Sequence, residues 1–316
     1  MKKTLTIAIP TYNRIEHLIK NIPFLLDQLT DECELIIVDN CSDEDVETKI
    51  QNIIKKYSRI KFNIIRNSTN IGLFGNILKC FEEANSKWLY IMGDDDRLLP
   101  NSVLLLLNDI KNNSDTINIS YQWHPEKRWN NTRPMITHGC ADYFSSIEAI
   151  HHIMFLASNI YNVEVLRYYI HIGHYFQSSS APHLVMLFMA LDQNKNSKVY
   201  LSNNYLVDNF NLEIEDEKKW NRLDFFRNNK LLLDLPINDI NNKKLFLLYK
   251  RSYPITTYLN FFLNIENKNK IDLIVEFKKA TYYHLIYGTF KDKLLIIIAS
   301  YLLKYPKTTM KILKFR

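Results

Sequence analysis

The sequence predicts an α/β fold built on a mainly parallel sheet and extended by a helical C-terminal region. Three observations predict it. Over the first 110 residues short apolar runs alternate with segments of helical periodicity, the pattern of βαβ units. From about residue 214 onward the periodicity is helical. Three apolar runs also stop abruptly at polar clusters, Thr11-Tyr12-Asn13-Arg14, Asp39-Asn40-Cys41-Ser42-Asp43 and Asp94-Asp95-Asp96. In open parallel sheets ligands bind beyond the carboxyl ends of the strands.

Taken in order, residues 5–9 read as the first strand and 15–28 as an amphipathic helix that Pro23 is placed to kink. Residues 34–38 are a second strand. A helix over 45–56 follows, with Val46, Ile50, Ile53 and Ile54 at helical spacing. Residues 60–65 are a third strand, 71–84 a helix and 88–92 a strand. Beyond residue 112 the pattern changes. Residues 116–123 alternate as a strand, and the polar stretch 124–140, with Pro125 and Pro134, reads as a loop. Helices are expected over 146–155, 163–170 and 183–191, and a strand over 199–207. Long apolar-periodic segments at 222–234, 242–264, 271–287 and 292–304 complete the chain. No internal repeat or low-complexity linker is visible. The expected organisation is an α/β unit over 1–212, with halves 1–110 and 111–212, and a helical region over 213–316 that ends in a basic tail.

Composition bounds the function. With 316 residues, 47% hydrophobic and 13% aromatic, the chain can bury one large core or two smaller ones and is not disordered. Cys33, Cys41, Cys80 and Cys140 form no CxxC pair and no metal-ligand spacing with His, which reads as reduced structural thiols in a cytosolic protein. Met1-Lys2-Lys3 precedes an apolar stretch that Pro10 ends, too short for the core of a signal peptide. No run of about 18 apolar residues predicts a spanning helix. The net charge of +6 is localised. Residues 291–316 hold Lys291, Lys293, Lys304, Lys307, Lys311, Lys314 and Arg316 against Asp292 alone, so the rest of the chain balances at zero. A basic tail of that kind does not make a general nucleic-acid surface, and no nucleic-acid partner is expected.

The segment with most chemistry is 90–100, where the run Trp88-Leu89-Tyr90-Ile91-Met92 stops at Gly93 and three carboxylates follow. Adjacent carboxylates repel, and a hard cation relieves that repulsion. Mg²⁺ usually binds through one or two carboxylates together with substrate phosphates. The pattern therefore points to metal-assisted handling of a phosphorylated substrate, with a solvated acidic turn as the bland alternative. Thr11 and Tyr12 lie where the first strand opens into a loop that Pro10 restrains, suited to meeting a nucleotide or simply to turning the chain. Asp39 follows an apolar strand; its carboxylate can accept an imide N–H from a pyrimidine base or cap a local turn. Asn70 and Gly72 open a helix whose N–H groups can face phosphate, and capping alone would also explain Asn70.

Four blocks in this order and spacing resemble the family 2 glycosyltransferases, which have the GT-A fold. They are Ile7-Ala8-Ile9-Pro10-Thr11-Tyr12-Asn13-Arg14, Ile36-Ile37-Val38-Asp39-Asn40 with Ser42-Asp43, Asn70-Ile71-Gly72 with Asn76, and Gly93-Asp94-Asp95-Asp96 with Leu98 and Pro100. The resemblance is strong over about residues 4–110 and weak beyond. It implies a Rossmann-like nucleotide-binding sheet and inverting, metal-dependent transfer of a sugar from a nucleotide sugar, UDP-linked by expectation, to an acceptor hydroxyl. Pro10, Thr11, Tyr12, Arg14, Asp39, Asn70, Gly72 and Asp94 are then expected to hold the donor, and Asp95 and Asp96 a Mg²⁺ or Mn²⁺ ion. The family motif is Asp-X-Asp-Asp, and Gly93 stands in its first place, which leaves the ribose contact to Asp94. The family's acceptor half usually carries a Glu-Asp pair with the general base, and none occurs at the expected place. His183 stands there, within Ser178-Ser179-Ser180-Ala181-Pro182-His183-Leu184, with Asp142 as second candidate; imidazole can act as a base near neutral pH. Glu215-Asp216 reads as an exposed helix start.

The stretch Leu294-Leu295-Ile296-Ile297-Ile298 with Tyr301-Leu302-Leu303 and the basic run beyond it suggests an interfacial helix. A helix packed on the body with a solvated basic end would have the same sequence. The expectation is a cytoplasmic enzyme of surface-polysaccharide synthesis, in peripheral contact with the inner face of the cytoplasmic membrane and acting on a glycan or lipid-linked acceptor. A nucleotidyltransferase and a non-catalytic nucleotide-sugar binder are the alternatives. The first normally has a glycine-rich loop near the first strand, and Thr11–Arg14 has no glycine; the missing Glu-Asp pair supports the second.

Overall fold

Strands that are apolar along nearly all their length must be covered on both faces; the first two strands are covered so, and their interior polar residues Thr6 and Glu34 are paired with each other at 2.6 Å. The computed structural model describes residues 3–57, 61–122, 133–208, 228–264 and 273–304. Strands β1 (Leu5–Thr11) and β2 (Cys33–Asp39) are buried along their whole length. Odd and even residues serve different cores. Leu5, Ile7 and Ile9 of β1 with Leu35 and Ile37 of β2 face one core; Ala8, Ile36 and Val38 face the other, as a two-residue period requires.

The strands alternate with helices through α1 (Ile15–Leu26), α2 (Val46–Ile54), β3 (Lys61–Arg66), α3 (Gly72–Glu83), β4 (Trp88–Ile91), α4 (Ser102–Asn112) and β5 (Asn118–Gln122). Next come β6 (Met135–His138), α5 (Gly139–Ser146), α6 (His151–Met154), β7 (Asn159–Asn162), α7 (Val163–Leu166), α8 (Ile170–Tyr175), α9 (Pro182–Gln193) and β8 (Lys198–Tyr205). The eight strands form one sheet in the order β3-β2-β1-β4-β7-β5-β8-β6. β1 runs parallel to β2 and β4, β2 to β3, and β5 to β8; β7 is antiparallel to both β4 and β5, and β6 to β8. The mainly parallel α/β sheet read from the sequence is the observed one.

Several expected elements differ. The stretch read as a loop over 124–140 ends in β6, a short edge strand hidden by its polar residues; Thr137 is buried against β8 all the same. The strand β7 was not expected, because Asn159 and Asn162 flank only Ile160 and Tyr161. Those two residues enter opposite cores, and Asn159 is satisfied by bonds to Ser120 and to the Ile153 and Phe155 carbonyls. Instead of one helix over 146–155, α5 ends at Ser146, Ile147 is extended, and α6 is a single turn. Helix α4 carries Val103, Leu106, Leu107 and Ile110 inward at a spacing the sequence reading passed over.

The C-terminal helices are α10 (Asp239–Ser252), α11 (Ile255–Asn264), α12 (Leu273–Ala280), α13 (Tyr282–Tyr287) and α14 (Phe290–Lys304). The expected continuous helix over 242–264 breaks at Pro254, which cannot donate to the preceding turn. Residues 230–234 form a 3₁₀ turn. Leu245, Phe246, Leu248 and Tyr249 of α10 join the core lined by α3, α5 and α9. The boundary expected near residue 212, the first part of the helix expected over 222–234 and the pair Glu215-Asp216 all lie outside the described residues.

Candidate active site

The carboxyl ends of β1, β2 and β4 and the start of α3 converge on a cavity of about 750 Å³. Pro10, Thr11, Tyr12, Arg14, Asn70, Gly72 and Asp94, Asp95 and Asp96 line it from the first half of the chain; His151, Met154, Phe155, Leu156, Ser180 and His183 close it from the second. Of the expected donor-binding residues, Asp39 alone does not line the cavity.

The loops at the strand ends are tied together by side chains. Asn13 donates its amide to Asp43 Oδ2 at 2.9 Å and accepts from the Asp43 N–H at 2.8 Å, joining the loops after β1 and β2. Asn40 donates to Asn70 Oδ1 at 2.8 Å and accepts from the Ile71 N–H at 3.0 Å, and Asn70 Oδ1 also accepts from the Gly72 N–H. This fixes the first turn of α3 against the cavity. Gly72 has φ +78°, a conformation that glycine adopts without steric cost. Asn13, Cys41 and Ser180 are also left-handed, at φ 53°, 64° and 63°. Such residues gather where the surrounding structure over-determines a loop.

Asp39 is 1% exposed. Its Oδ1 accepts from the Ser42 N–H at 2.9 Å, and its Oδ2 pairs with Arg66 Nη1 at 2.6 Å. The local turn weighed for this residue is therefore real. Each carboxylate oxygen has two lone pairs, so these bonds leave acceptor capacity.

The three acidic residues differ. Thr11 Oγ1 donates to Asp94 Oδ2 at 2.8 Å, and Arg14 Nε lies 3.5 Å from Asp94 Oδ1. Burial pushes the Asp94 carboxyl up to about 6 against the pull of Arg14. Asp96 turns back to accept from the Gly93 N–H at 2.7 Å. Burial, and then the charge of Asp95, push it up to about 7. Asp95 is the most exposed of the three in the cavity wall, with 35% of its side chain exposed and its Oδ2 2.7 Å from Arg14 Nη2. An added Cβ at Gly93 would stand 2.8 Å from Asp95 Oδ1 and 2.9 Å from Asp96 Oδ2. A side chain at Gly93 would therefore require these two carboxylates to shift.

Among the described residues no three His, Cys, Asp or Glu side chains gather as a metal cluster. Asp96 lines the cavity with one carboxylate oxygen engaged by the Gly93 N–H. The donor set suits a cation shared between Asp95 and a bound diphosphate, and does not suit one held by the protein alone.

His183 stands at the start of α9, after Pro182 in the first turn, a favoured place for proline. It is 2% exposed, with its ring edge-on to Tyr161 and the Met154 backbone within hydrogen-bonding reach. Burial lowers its pKa to about 3, so the ring is neutral. Asp142 is not brought to the cavity. Its Oδ2 accepts from the His138 N–H at 2.8 Å, at the start of α5 beside the far edge of the sheet. That corrects its candidacy as base: it is a local helix-start acceptor. The reading of the sequence missed His151 and the apolar wall of Leu73, Phe74, Met154, Phe155 and Leu156, which bear no motif.

Comparison with known proteins gives the family and the fold. The sequence model described as "Glycosyl transferase family 2" matches residues 6–175. A Haemophilus influenzae protein named "Uncharacterized glycosyltransferase" is 32% identical over 127 residues, 39% of each chain. The GalNAc(5)-diNAcBac-PP-undecaprenol beta-1,3-glucosyltransferase of Campylobacter jejuni is 30% identical over 103 residues, 33% of each chain. The matched stretch thus spans between a third and two fifths of these relatives' own length. Among solved structures, residues 1–349 of S. aureus TarS superpose with TM-score 0.63 at 14% identity, over 99% of this chain and 92% of that one. The same fragment has been solved with UDP-GlcNAc. Mannosyltransferase PcManGT of Pyrobaculum calidifontis, in complex with GDP-Man and Mn²⁺, gives TM-score 0.56 at 10% identity, over 98% and 84%. At these identities the likeness is one of fold.

Proposed function

The chain belongs to glycosyltransferase family 2, and on that premise we propose that it transfers a sugar from a nucleotide sugar to an acceptor hydroxyl with inversion at the anomeric carbon. The observation that carries the reading is the convergence of the β1, β2, β4 and α3 ends on one cavity into which Asp95 turns. A UDP sugar is the donor, in keeping with the UDP-GlcNAc complex of TarS. The uracil lies over the loop after β2, where Asp39 accepts its imide N–H, and Asp94 contacts the ribose. The diphosphate meets Arg14 and the N–H groups that open α3.

Asp95 would hold Mg²⁺ or Mn²⁺ jointly with the diphosphate; the bound cation supplies neutralisation of the leaving group's charge. His183, which lines the cavity together with the more exposed His151, is the group on the acceptor side assigned to take the hydroxyl proton. Its ring is neutral, as a base must be, and the arrival of a diphosphate's negative charge raises its pKa toward the working range. The acceptor is a lipid-linked surface glycan at the inner face of the cytoplasmic membrane, by likeness to the undecaprenol-linked substrate named for the C. jejuni relative.

One observation favours a non-catalytic binder as second reading: among the described residues, no carboxylate from 111–208 lines the cavity. Thermal-shift titration with a panel of nucleotide sugars, with and without Mn²⁺, tests the donor. Stabilisation by UDP sugars that needs the cation supports the proposal, and no response to any nucleotide sugar refutes it. Release of UDP on turnover separates the transferase from the binder.

A further inference from the structure

Helix α14 has two apolar faces. Ile296, Ala299 and Leu303 turn inward and join the core that α10, α11 and α12 share. Asp292, on the same side, is buried and pairs with Lys250. Phe290, Leu294, Ile297, Ile298 and Tyr301 are exposed, Phe290 at 82% and Ile297 and Tyr301 at 65%. At about 100° per residue these five fall within an arc of roughly 100°, opposite the packed side. Lys291 borders one edge of that arc and Lys293 and Lys304 the other, and all three are exposed. Four more basic residues, Lys307, Lys311, Lys314 and Arg316, follow in the sequence outside the described residues.

Folded chains rarely leave a continuous apolar stripe to water, and such stripes mark interaction surfaces. We infer that this face of α14 lies in the plane of an anionic lipid bilayer, with its apolar side chains at the boundary of headgroups and acyl chains. The lysines on both edges reach the lipid phosphates while their stems cover the apolar surface. A second copy of the chain fits less well. A twofold contact through this face would set lysine edges against lysine edges, whereas lipid phosphates neutralise them. The helix lies on the membrane and does not cross it, since no helix among the described residues is long and apolar enough to do so. The inference deepens the reading of a lipid-linked acceptor and rests on it only for its purpose; the face itself is independent of the donor chemistry.

Flotation of the full chain with vesicles tests this. The chain should float with phosphatidylglycerol-containing vesicles, less at high salt, and weakly with pure phosphatidylcholine. The double variant Ile297→Glu, Ile298→Glu changes exposed positions only. It should lower the ratio of bound to free protein by about tenfold or more and keep the circular-dichroism melting curve. Absence of flotation for the unaltered chain, or equal flotation of the variant, overturns the inference. A concentration-dependent dimer that the same variant dissociates, without flotation, gives the face to a second copy instead. UDP affinity measured on the same samples keeps the tests apart: its absence counts against the donor reading and leaves the membrane result standing.

Discussion

Arg14 Nη2 lies 2.7 Å from Asp95 Oδ2, an ion pair that joins the loop after β1 to the acidic loop after β4. It neutralises the most exposed of the three carboxylates that line the cavity, and it puts a cation where a diphosphate is expected. Arg14→Gln should weaken UDP binding by about 1.5–3 kcal/mol, the range for hydrogen bonds to charged groups. Calorimetry with UDP reads this directly. Unchanged affinity would leave Arg14 as a partner of Asp95 and nothing more.

Asp39 does double service in this account. Asp39→Ala should weaken UDP binding by about 1–3 kcal/mol through loss of the imide contact. It should also lower stability by about 1–2 kcal/mol, because the Ser42 N–H loses its acceptor in a buried turn. Calorimetry and denaturant melts separate the two effects. A stability loss with unaltered UDP affinity would reduce Asp39 to the turn residue.

Gly93 gives a prediction against the family pattern. Gly93→Asp restores the first carboxylate of the motif, yet its Cβ would press on Asp95 Oδ1 and Asp96 Oδ2. Turnover should fall by roughly 10²-fold from the displaced carboxylate, with the melting temperature little changed because the site is a loop. A steady-state rate equal to or above that of the unaltered chain would contradict this placement of the loop.

His183 links the site to pH. Its pKa is lowered to about 3 in the folded chain, against an ordinary value of about 6.5. Unfolding therefore takes up a proton between those values. The stability that the neutral ring contributes is complete above about pH 6.5 and is lost as pH falls toward 3. Going from about pH 7 to about pH 4.5 should cost the unaltered chain about 2 kcal/mol more than His183→Leu. Denaturant melts at the two pH values measure the difference, and parallel losses would count against a buried neutral ring. The same variant should lose turnover by roughly 10²–10⁴-fold if the ring is the base.

The first half of the fold was legible because β1, β2 and β4 are mostly apolar and run into the polar residues Thr11, Asp39 and Asp94. Those ends also placed most of the candidate site. What stayed hidden has physical reasons. β6 and β7 are four residues each, too short for a periodicity to show; tertiary pairing makes them strands, β6 against β8 and β7 with Asn159 bonded to Ser120 and to backbone carbonyls. The ion-pair partner of Asp39 was illegible because Arg66 comes from β3, which only the folded register brings beside it. His151 and the apolar wall at Met154 to Leu156 follow from how α6 packs and carry no motif. The place of Asp142 follows in the same way from the late start of α5 at Gly139.

The central claim is that Asp95 and a divalent cation together serve transfer from a nucleotide sugar. Release of UDP from UDP sugars by the full chain, with Mn²⁺ and then with EDTA, tests it most directly when Asp95→Asn is run beside it. Release is expected with Mn²⁺, with loss in EDTA, recovery on adding the cation back, and no release from a well-folded Asp95→Asn. Release that persists in EDTA and in Asp95→Asn would contradict it.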